Sequence, residues 1–392
     1  MEMPELLAPA GDITRAKFAL LYGADAIYFG GSDFGLRANA KNFSRDEIIE
    51  ITEYAHSLCK KVYVTVNIIF HNDNLKQLDE YLRFLDRCNI DGIIASDIIV
   101  VKRMKDLNLK PIVVLSTQNS TLNVGAVRFW QNLGVKRIVL ARESSRENIK
   151  EIIDQTGVEI ETFIHGAMCT SISGKCVLSN YLTNRDANRG GCVQACRWCY
   201  KVANNPDFTM MSKDLNMVSH IKDMIDLGIS SFKIEGRMRS IYYIATVTLC
   251  YRRIIDAILN DSLTSDEELY YLNVLNRCAN RDSAAQFYDT DPTADDEYWD
   301  GRNEKTNQDF VGLVQDYDNG MAIIEERNYL KVGDVVQFFG PNTETFDYHI
   351  HKMYDENDNE IDVANHPGMI IKLPLDQKIN KWDMVRIKTF DE

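Results

Sequence analysis

The stretch that decides the fold is residues 62–117, which read VYVTVNIIFHNDNLKQLDEYLRFLDRCNIDGIIASDIIVVKRMKDLNLKPIVVLST. It contains three short runs that are almost continuously apolar: 62–67, 92–97 and 112–117. Such runs are typical of parallel strands that are buried on both faces. Between the first two runs, four leucines recur at the spacing of one helix face: Leu75, Leu78, Leu82 and Leu85. The stretch therefore predicts strands that alternate with helices.

The same alternation extends over the first 240 residues. Five further runs have the strand character: Glu5–Pro9, Ala26–Gly30, Arg137–Arg142, Glu159–Gly166 and Ser231–Arg237. Helix signatures separate them, such as the cap Ser44 followed by an acidic first turn. Eight strands, each followed by a helix, predict a (β/α)8 barrel of the TIM type. A doubly wound open sheet is the alternative, but no GxGxxG turn follows the first strand.

Polar residues stand at the ends of these predicted strands. In a (β/α)8 barrel the carboxyl ends of the strands surround the active-site mouth. We expect the mouth to be lined by Asn67, Asp97, Gln118, Arg142, His165, Glu235 and Arg237. Any one of them could instead cap a loop or make a buried hydrogen bond, so the set carries more weight than its members.

The rest of the chain has a different pattern. The barrel is predicted over residues 1–260, with a Cys-rich insertion at about 167–230 before the eighth strand. A helix and a polar, acidic linker follow over residues 261–308. From residue 309 to 392, strands of period two alternate with turns such as Asp318-Asn-Gly. They predict a small all-β barrel domain, either a recognition module or a domain that packs on the first barrel.

Composition limits the class of protein. The 392 residues are 45% hydrophobic and 26% charged, which is ordinary for a globular protein. No window approaches 18 uninterrupted apolar residues, so we expect no membrane partner. The start, MEMPELLAPAGD, lacks the basic and apolar regions of a signal peptide, so we expect a cytoplasmic protein. The net charge of −14 argues against a protein that coats nucleic acid through general electrostatics.

Five of the nine cysteines lie within 31 residues: Cys169, Cys176, Cys192, Cys196 and Cys199. In the cytoplasm thiols stay reduced, so a cysteine cluster indicates metal binding or catalysis rather than disulfides. Four thiolates at irregular spacing in one loop favour a [4Fe–4S] cluster. Zinc is the first alternative, although only Cys196 and Cys199 form a CxxC pair. Free or redox-active thiols are a further alternative.

A second pattern overlaps the same cysteines. The segment from Cys192 to Cys199 matches the CxxxCxxC motif of radical S-adenosylmethionine enzymes. In those enzymes the motif follows the first strand, whereas here it follows the seventh. That interpretation also leaves Cys169 and Cys176 without a role.

Several polar residues are candidates for catalysis. His165, four residues before Cys169, could donate a proton or could donate a hydrogen bond to the cluster. Glu235 could act as a general base or could hold Arg237. Lys233 and Arg237 would bind a small anionic substrate. Cations with interleaved aromatic residues around the thiols suit an RNA backbone with a stacked base, or serve only to balance an anionic cluster: Arg185, Arg189, Arg197, Trp198, Tyr200, Lys201 and Arg239.

These residues also carry a resemblance. The segment HGAMCTSISGKCVLSN at 165–180 resembles the signature of the peptidase U32 family, often labelled collagenase-like proteases. LLAPAGD, GADAIYFG, LRANAKNF, RDANRGGCVQACRW and SFKIEGRM match it as well, so the resemblance covers most of the chain. Within the family the sequence is most similar to the tRNA hydroxylation branch, whose members help install 5-hydroxyuridine at the wobble position of bacterial tRNAs.

The resemblance implies a [4Fe–4S] cluster, a requirement for prephenate as a small anionic co-substrate, and an oxygen source other than O₂. It implies tRNA as a partner and leaves room for a homologous partner subunit. Carried over residue by residue, the cluster ligands are Cys169, Cys176, Cys192 and Cys196. The family usually has another residue at the position of Cys199. The segment after Asn276 also departs from the family pattern, because the expected glycine-containing turn is missing.

The family label itself gives a second hypothesis, proteolysis. Neither a GxSxG elbow nor an HExxH helix occurs in the sequence. A Cys169 thiolate paired with His165 would be a conceivable nucleophile. An RNA-binding scaffold with a purely structural cluster is the third hypothesis.

Overall fold

The computed structural model describes residues 3–35, 42–203, 207–279, 281–298 and 309–387. The chain divides into two compact units, Met1–Glu304 and Lys305–Glu392.

The described part of the first unit contains ten strands. They are β1 (Glu5–Pro9), β2 (Ala26–Gly30), β3 (Lys61–Val66), β4 (Gly92–Ala95), β5 (Ile112–Leu115), β6 (Arg137–Val139), β7 (Glu159–Gly166), β8 (Asp214–Asn216), β9 (Ser231–Ile234) and β10 (Ser283–Ala284). Strands β1 to β7 pair in parallel in sequence order. Strand β9 pairs in parallel with both β1 and β7. The sheet is therefore a closed barrel of eight parallel strands, which confirms the predicted fold class.

Helices connect the strands. In order they are α1 (Ile13–Leu21), α2 (Arg45–Ser57), α3 (Leu75–Arg87), α4 (Ile98–Asp106), α5 (Val124–Asn132), α6 (Arg146–Thr156), α7 (Leu178–Thr183), α8 (Ile221–Asp226), α9 (Ile241–Leu259) and α10 (Ser265–Ala279). Seven of them begin at a side chain that accepts a hydrogen bond from the first turn: Asp12, Ser44, Asp97, Asn123, Ser145, Ser240 and Thr264. Among the helices so described, none has the length and apolar character needed to cross a membrane.

The interior of the barrel is filled with side chains. Inward-facing residues from six strands form one cluster: Leu7, Ala26, Tyr28, Tyr63, Ile94, Val114 and Val139, with Ile112 and Phe163 packed against it. The barrel is therefore a packed core rather than a channel. In barrels of this type the ligand site lies at the carboxyl ends of the strands.

Several predicted strands extend further than the observed ones. The run at 92–97 ends as a strand at Ala95, because the Asp97 carboxylate accepts hydrogen bonds from the amides of Ile99 and Phe70, at 3.0 and 3.2 Å. Ser116 likewise accepts from the Gln118 amide at 3.3 Å. These polar residues leave the sheet in order to cap the next element. Asp97 is therefore a helix cap, one of the two outcomes weighed for the mouth residues.

The prediction that the acidic stretch is a linker needs correction. In its described part, residues 281–298, β10 pairs with β8 and the Tyr298 amide donates to the Met211 carbonyl at 2.8 Å. Arg281 binds Asp214 at 3.0 Å. The acidic composition suggested a solvated linker, but an arginine and backbone hydrogen bonds fasten this segment to the barrel unit. Strand β8 lies within the predicted Cys-rich insertion, where the sequence indicated no strand.

The second unit is an antiparallel domain. Its strands are β11 (Phe310–Asp318), β12 (Met321–Glu326), β13 (Leu330–Lys331), β14 (Val335–Gly340), β15 (Thr343–His349), β16 (Tyr354–Asp355), β17 (Val363–Ala364), β18 (Ile370–Pro374) and β19 (Met384–Ile387). Seven of them form one sheet in the order β15-β14-β19-β11-β12-β18-β16. Asn319 and Gly320, both at positive φ, make the predicted two-residue turn between β11 and β12. The all-β character of this domain is confirmed.

Candidate functional site

The five clustered cysteines lie in one loop, residues 167–203, which we call the cysteine loop. It leaves the carboxyl end of β7 and contains α7 and short 3₁₀ turns. The Ser179 hydroxyl accepts a hydrogen bond from the Val193 amide at 3.2 Å. Asn188 donates its side-chain amide to the Cys176 carbonyl at 3.1 Å. These bonds fold the loop back on itself, so that Cys176 comes near the segment with Cys192 and Cys196.

The cysteine loop is fastened to the carboxyl end of the barrel. The Ser173 amide donates to Glu143, beyond β6, at 2.9 Å. Arg189 donates to Asn74, beyond β3, at 3.0 Å. Gly174, at φ +76°, lies so close to the Gln118 carbonyl that a Cβ atom there would overlap it. The loop therefore rests on the ends of at least three strands and covers this side of the mouth.

Four of the five thiols interact electrostatically. Burial, together with the charges of Cys169, Cys192 and Cys176, raises the pKa of Cys196 to about 11, against the opposing charge of Arg197. Burial of the Cys169 thiol likewise raises its pKa, against the charge of Arg142 and with smaller contributions from Cys192 and Cys176, although the residue as a whole is exposed. Coulomb energy falls with distance, and salt screens exposed charges that are more than about 10 Å apart. The four thiols that the family resemblance named therefore neighbour one another.

The fifth thiol has different neighbours. The Cys199 sulfur lies 3.7 Å from a carboxylate oxygen of Asp207 and is exposed. Cys199 is absent from the charges that shift the pKa of Cys169 and Cys196.

Across the residues that the structure describes, no group of three or more His, Cys, Asp or Glu side chains is arranged to hold a metal ion. A tetrahedral zinc site with thiolate ligands at about 2.3 Å would require such a group. The four thiols are thus neighbours without forming a single-ion site.

Positive charge surrounds the cysteine loop. Arg239 and Arg281 both bind the buried Asp214, at 3.2 and 3.0 Å. Burial is the largest cause that lowers the pKa of Arg197. The charges of Arg239, Arg281 and Asp214 also influence this pKa, so Arg197 lies near them. Three guanidinium groups around one carboxylate leave an excess of positive charge beside Cys196. Such an excess suits an anionic cofactor or substrate.

Arg142 adds a cation at the other side of the loop. Its guanidinium lies 4.0 Å from the centroid of the Phe163 ring, and its charge lowers the pKa of Cys169 against the larger effect of burial. No ion pair of Arg142 is recorded among the residues described. Arg142 was predicted as one of the mouth residues, and the structure places it next to the first cysteine.

His165, on β7, is a buried neutral residue. Its Nδ1 atom lies 3.3 Å from the hydroxyl of Tyr251, while Nε2 has no hydrogen-bond partner in the described part of the chain. Burial lowers the pKa of His165 to about 3, with a smaller contribution from Arg239. A proton donor near neutral pH would need a much higher pKa. The geometry therefore favours a hydrogen-bonding role over the proton-donor role.

Lys233 lies inside the barrel rather than at the mouth. Its ammonium group is 2.7 Å from the Glu161 carboxylate and 4.4 Å from the centroid of the Tyr28 ring. Arg137 joins the same network through Glu161 at 3.5 Å and Glu5 at 2.5 Å. An anionic substrate would have to displace Glu161 in order to reach Lys233, so Lys233 has the surroundings of a structural ion pair.

Glu235 and Arg237 follow β9 at the mouth. Glu235 is half-buried, accepts a hydrogen bond from Tyr28 at 3.2 Å, and is near enough to Cys169 for its charge to raise the pKa of that thiol. Arg237 is buried and donates to the Thr65 hydroxyl of β3 at 3.4 Å. Each of the two side chains thus has a neighbour of its own in the barrel, Tyr28 for Glu235 and Thr65 for Arg237.

The sequence did not single out four further residues of this region: Glu161, Asp214, Asn216 and Tyr251. Glu161 carried a signal, because a carboxylate in an apolar strand needs a buried partner. Asn216 lies opposite His165 in the β7–β8 pairing and shares its contact with Tyr251. Asp214, Asn216 and Tyr251 carried no comparable signal.

Comparison with known proteins gives one family model for each of the two units. The model of peptidase family U32 matches residues 11–298, and that of the U32 C-terminal domain matches residues 306–386. The chain is 45% identical to tRNA hydroxylation protein P1 of Bacillus subtilis, over 98% of this chain and 94% of that protein. It is 34% identical to an uncharacterized protease of Methanocaldococcus jannaschii, over 98% of both.

A third relative is the 23S rRNA 5-hydroxycytidine C2501 synthase of Escherichia coli. It is 38% identical over 66% of this chain and 40% of that enzyme. Two of these three relatives are therefore named for RNA hydroxylation and one for proteolysis. Since the two family models together span nearly the whole chain, this protein belongs to peptidase family U32.

Proposed function

We propose that this chain is an iron–sulfur protein of the cytoplasm that hydroxylates the wobble uridine of tRNA at C5, with prephenate as co-substrate and without O₂. The observation that carries the proposal is the neighbourhood of Cys169, Cys176, Cys192 and Cys196 over the barrel mouth. The relatives named for tRNA and rRNA hydroxylation support RNA as the substrate class.

The donor set suits a [4Fe–4S] cluster. Four soft thiolates are the usual ligands, and the positive groups on either side, Arg142 and Arg197, would stabilise its negative charge. When bound, the cluster supplies redox chemistry that protein side chains lack. The cysteine loop holds the four thiols over the carboxyl end of the barrel, where substrate can approach.

Protein groups at the mouth would bind and orient the substrates. Arg142, together with the arginines that surround Asp214, would hold an anionic co-substrate such as prephenate beside the cysteines. Glu235, whose charge influences Cys169, would accept a proton from the substrate. Neutral His165 would accept a hydrogen bond at Nε2, and Lys233 would keep the barrel wall rigid through Glu161.

The geometry gives little support to the two rival activities. A cysteine protease needs a thiol whose pKa is depressed, but the surroundings of Cys169 raise it. No hydrogen bond between Cys169 and His165 is recorded within the described ranges. A radical S-adenosylmethionine enzyme would bind its cluster through Cys199, which is paired with Asp207 instead.

Two experiments test the proposal. Protein isolated without oxygen should be brown and contain about four iron atoms per chain. A bacterial strain that lacks the gene should lose 5-hydroxyuridine derivatives from its tRNA, as measured by mass spectrometry of nucleosides under conditions that silence other routes. The wild-type gene and the Cys199→Ser control should restore them, whereas Cys169→Ser should not.

A colourless protein with zinc, or unchanged tRNA in the deletion strain, would refute the proposal. Cleavage of casein by metal-free protein, abolished in Cys169→Ser, would establish the peptidase activity in its place. Tight tRNA binding with unchanged modification in the deletion strain would indicate the scaffold.

A further inference from the structure

The cysteine loop exposes an unusual number of apolar side chains. Of the 19 large hydrophobic residues that are exposed in the described chain, six lie between residues 172 and 202: Ile172, Val177, Tyr181, Leu182, Trp198 and Val202. Tyr181 is the most exposed of all, at 86%. The turn at Ala195–Arg197, which precedes Trp198, contacts α7, which carries Tyr181 and Leu182. A concentration of exposed apolar side chains in one loop is typical of a binding surface.

The same loop is basic within an acidic protein. Residues 167–203 contain five cationic residues, Lys175, Arg185, Arg189, Arg197 and Lys201, against a single acidic residue, Asp186. The whole chain has 44 Lys and Arg residues against 58 Asp and Glu, for a net charge of −14. A polyanion would therefore be repelled by most of the surface and attracted to this loop.

Local hydrogen bonds explain why the apolar side chains face outward. In α7 the Thr183 hydroxyl donates to the Ser179 carbonyl at 2.8 Å, and Ser179 is buried against the Val193 segment. The polar side of α7 is thus used to hold the loop together. Tyr181 and Leu182 are left on the solvent side.

Arg185 follows directly after this helix. Asn184, at φ +54°, ends α7 in the left-handed conformation, and Arg185 is exposed just beyond it. No ion pair of Arg185 is recorded among the described residues. An exposed aromatic ring and a cation without a carboxylate partner therefore lie four residues apart.

We propose that the exposed part of the cysteine loop, formed by Tyr181, Arg185 and Trp198, binds a single-stranded segment of the RNA substrate. Aromatic rings that stack on bases, combined with cations that meet phosphates, are the common design of such surfaces. A protein partner would fit the apolar residues, but it would leave the excess of positive charge without a counterpart. The inference rests on the proposed function, since it takes RNA as the substrate, and it adds the place where that RNA is gripped.

The test uses the full-length, iron-loaded protein. Its binding to unmodified tRNA and to the isolated anticodon stem-loop is measured by fluorescence anisotropy at several salt concentrations. Tyr181→Ala should weaken binding about tenfold or more, because one base loses its stacking partner. Arg185→Ala should reduce the dependence of log Kd on log salt by about 0.7, the value for one contact with a single-stranded phosphate.

Matched controls lie elsewhere on the first unit. Phe129→Ala removes an aromatic side chain of α5 that is 52% exposed, and Lys102→Ala removes an exposed cation of α4. Both should bind RNA like the wild type. Iron content is measured on every variant. If Tyr181→Ala also loses iron, Tyr181→Phe and Tyr181→Leu decide, since only the first keeps a ring that can stack.

The outcomes separate the inference from the proposed function. If the wild type binds tRNA and Tyr181→Ala, Arg185→Ala and Trp198→Ala bind it equally well, the loop is not the RNA surface, while the hydroxylation proposal stands. If the variants instead change the oligomeric state without changing RNA affinity, the surface belongs to a protein interface and the inference is wrong. If the wild type binds no tRNA, both proposals are overturned.

Discussion

The hydroxyl oxygen of Tyr251, on α9, lies 3.3 Å from Nδ1 of His165, on β7. The same hydroxyl donates to the Ile164 carbonyl at 2.9 Å and accepts from the Met217 amide at 3.3 Å. One phenol therefore joins the closing helix, the seventh strand and the residue after β8. It also fixes the ring orientation of a histidine at the carboxyl end of β7.

Removal of this hydroxyl should destabilise the protein. Tyr251→Phe keeps the ring but leaves buried polar groups without a partner, so we expect a loss of about 1–3 kcal/mol in the free energy of unfolding. Urea unfolding followed by tryptophan fluorescence measures it. Tyr54→Phe, at a partly exposed position of α2, should change stability by less than about 0.5 kcal/mol. Equal effects of the two substitutions would contradict the assigned role of Tyr251.

The burial of His165 predicts a pH dependence of stability. Its pKa is about 3 in the folded protein against 6.5 for an ordinary histidine. Below pH 6.5 the unfolded chain takes up a proton that the folded chain refuses, so stability falls as the pH decreases from 6.5 toward 3. The slope from this residue is about 1.4 kcal/mol per pH unit.

His165→Gln should remove that slope. The difference in unfolding free energy between wild type and variant is then expected to shrink as the pH falls from 6.5 to 4.5. Urea midpoints at four pH values measure it, with the exposed His71→Gln as the control. A difference that stays constant with pH would show that His165 can be protonated in the folded protein.

The ion pair inside the barrel gives a third prediction. Glu161→Gln leaves Lys233 buried without its carboxylate at 2.7 Å, and we expect a loss of about 3–5 kcal/mol. The double variant Glu161→Leu/Lys233→Met removes both charges and should lose less than the single variant. The exposed pair of Lys150 and Asp154 is the control, where Asp154→Asn should cost less than about 1 kcal/mol.

Urea unfolding of all three variants provides the comparison. If the double variant is the least stable, the ion-pair network adds more to the free energy of unfolding than the burial of its charges costs. The expected order of the variants would then be wrong.

The sequence was sufficient for the barrel because its strands are buried on both faces. Eight apolar runs of four to eight residues leave few alternatives, and all eight are strands in the structure. Their ends were less predictable. Asp97 and Ser116 look like the continuation of a strand in the sequence, but each leaves the sheet to bind a backbone amide. A capping bond depends on the path of the following residues, which the apolar pattern does not encode.

The candidate site was predictable only in part, for a related reason. The cysteine loop is visible in the sequence because its thiols are close along the chain. The pairing of Lys233 with Glu161 joins residues 72 positions apart, and it exists because β9 closes the barrel against β7. Likewise, Asp214 and Arg281 are 67 positions apart and meet through the β8–β10 pairing. Charge composition made residues 281–298 look like a linker because it does not reveal such distant partners.

The neighbours of the thiols predict which cysteines bind iron. Cys196→Ser should remove most of the iron, because Cys196 interacts with the other three thiols. Cys199→Ser should keep about four iron atoms per chain, because Cys199 faces Asp207. Iron analysis and the visible absorption of anaerobically isolated protein measure this. Cys59→Ser, an exposed cysteine outside the loop, controls for the loss of any thiol. Retention of iron in Cys196→Ser together with its loss in Cys199→Ser would reverse the assignment of the fourth ligand.

The contact between Gly174 and Gln118 predicts that the cysteine loop depends on one glycine. Gly174 has φ +76°, and a Cβ atom there would overlap the Gln118 carbonyl, so Gly174→Ala must move the loop away from the end of β5. Gly157→Ala is the matched control, because Gly157 has φ +62° but no atom within 4 Å of an added Cβ. In both variants an alanine must adopt the left-handed backbone conformation, which lowers the free energy of unfolding by about 1–2 kcal/mol. Only Gly174→Ala should also lose iron and fall further in urea midpoint. If both variants keep the same iron content, the thiols do not depend on this anchor.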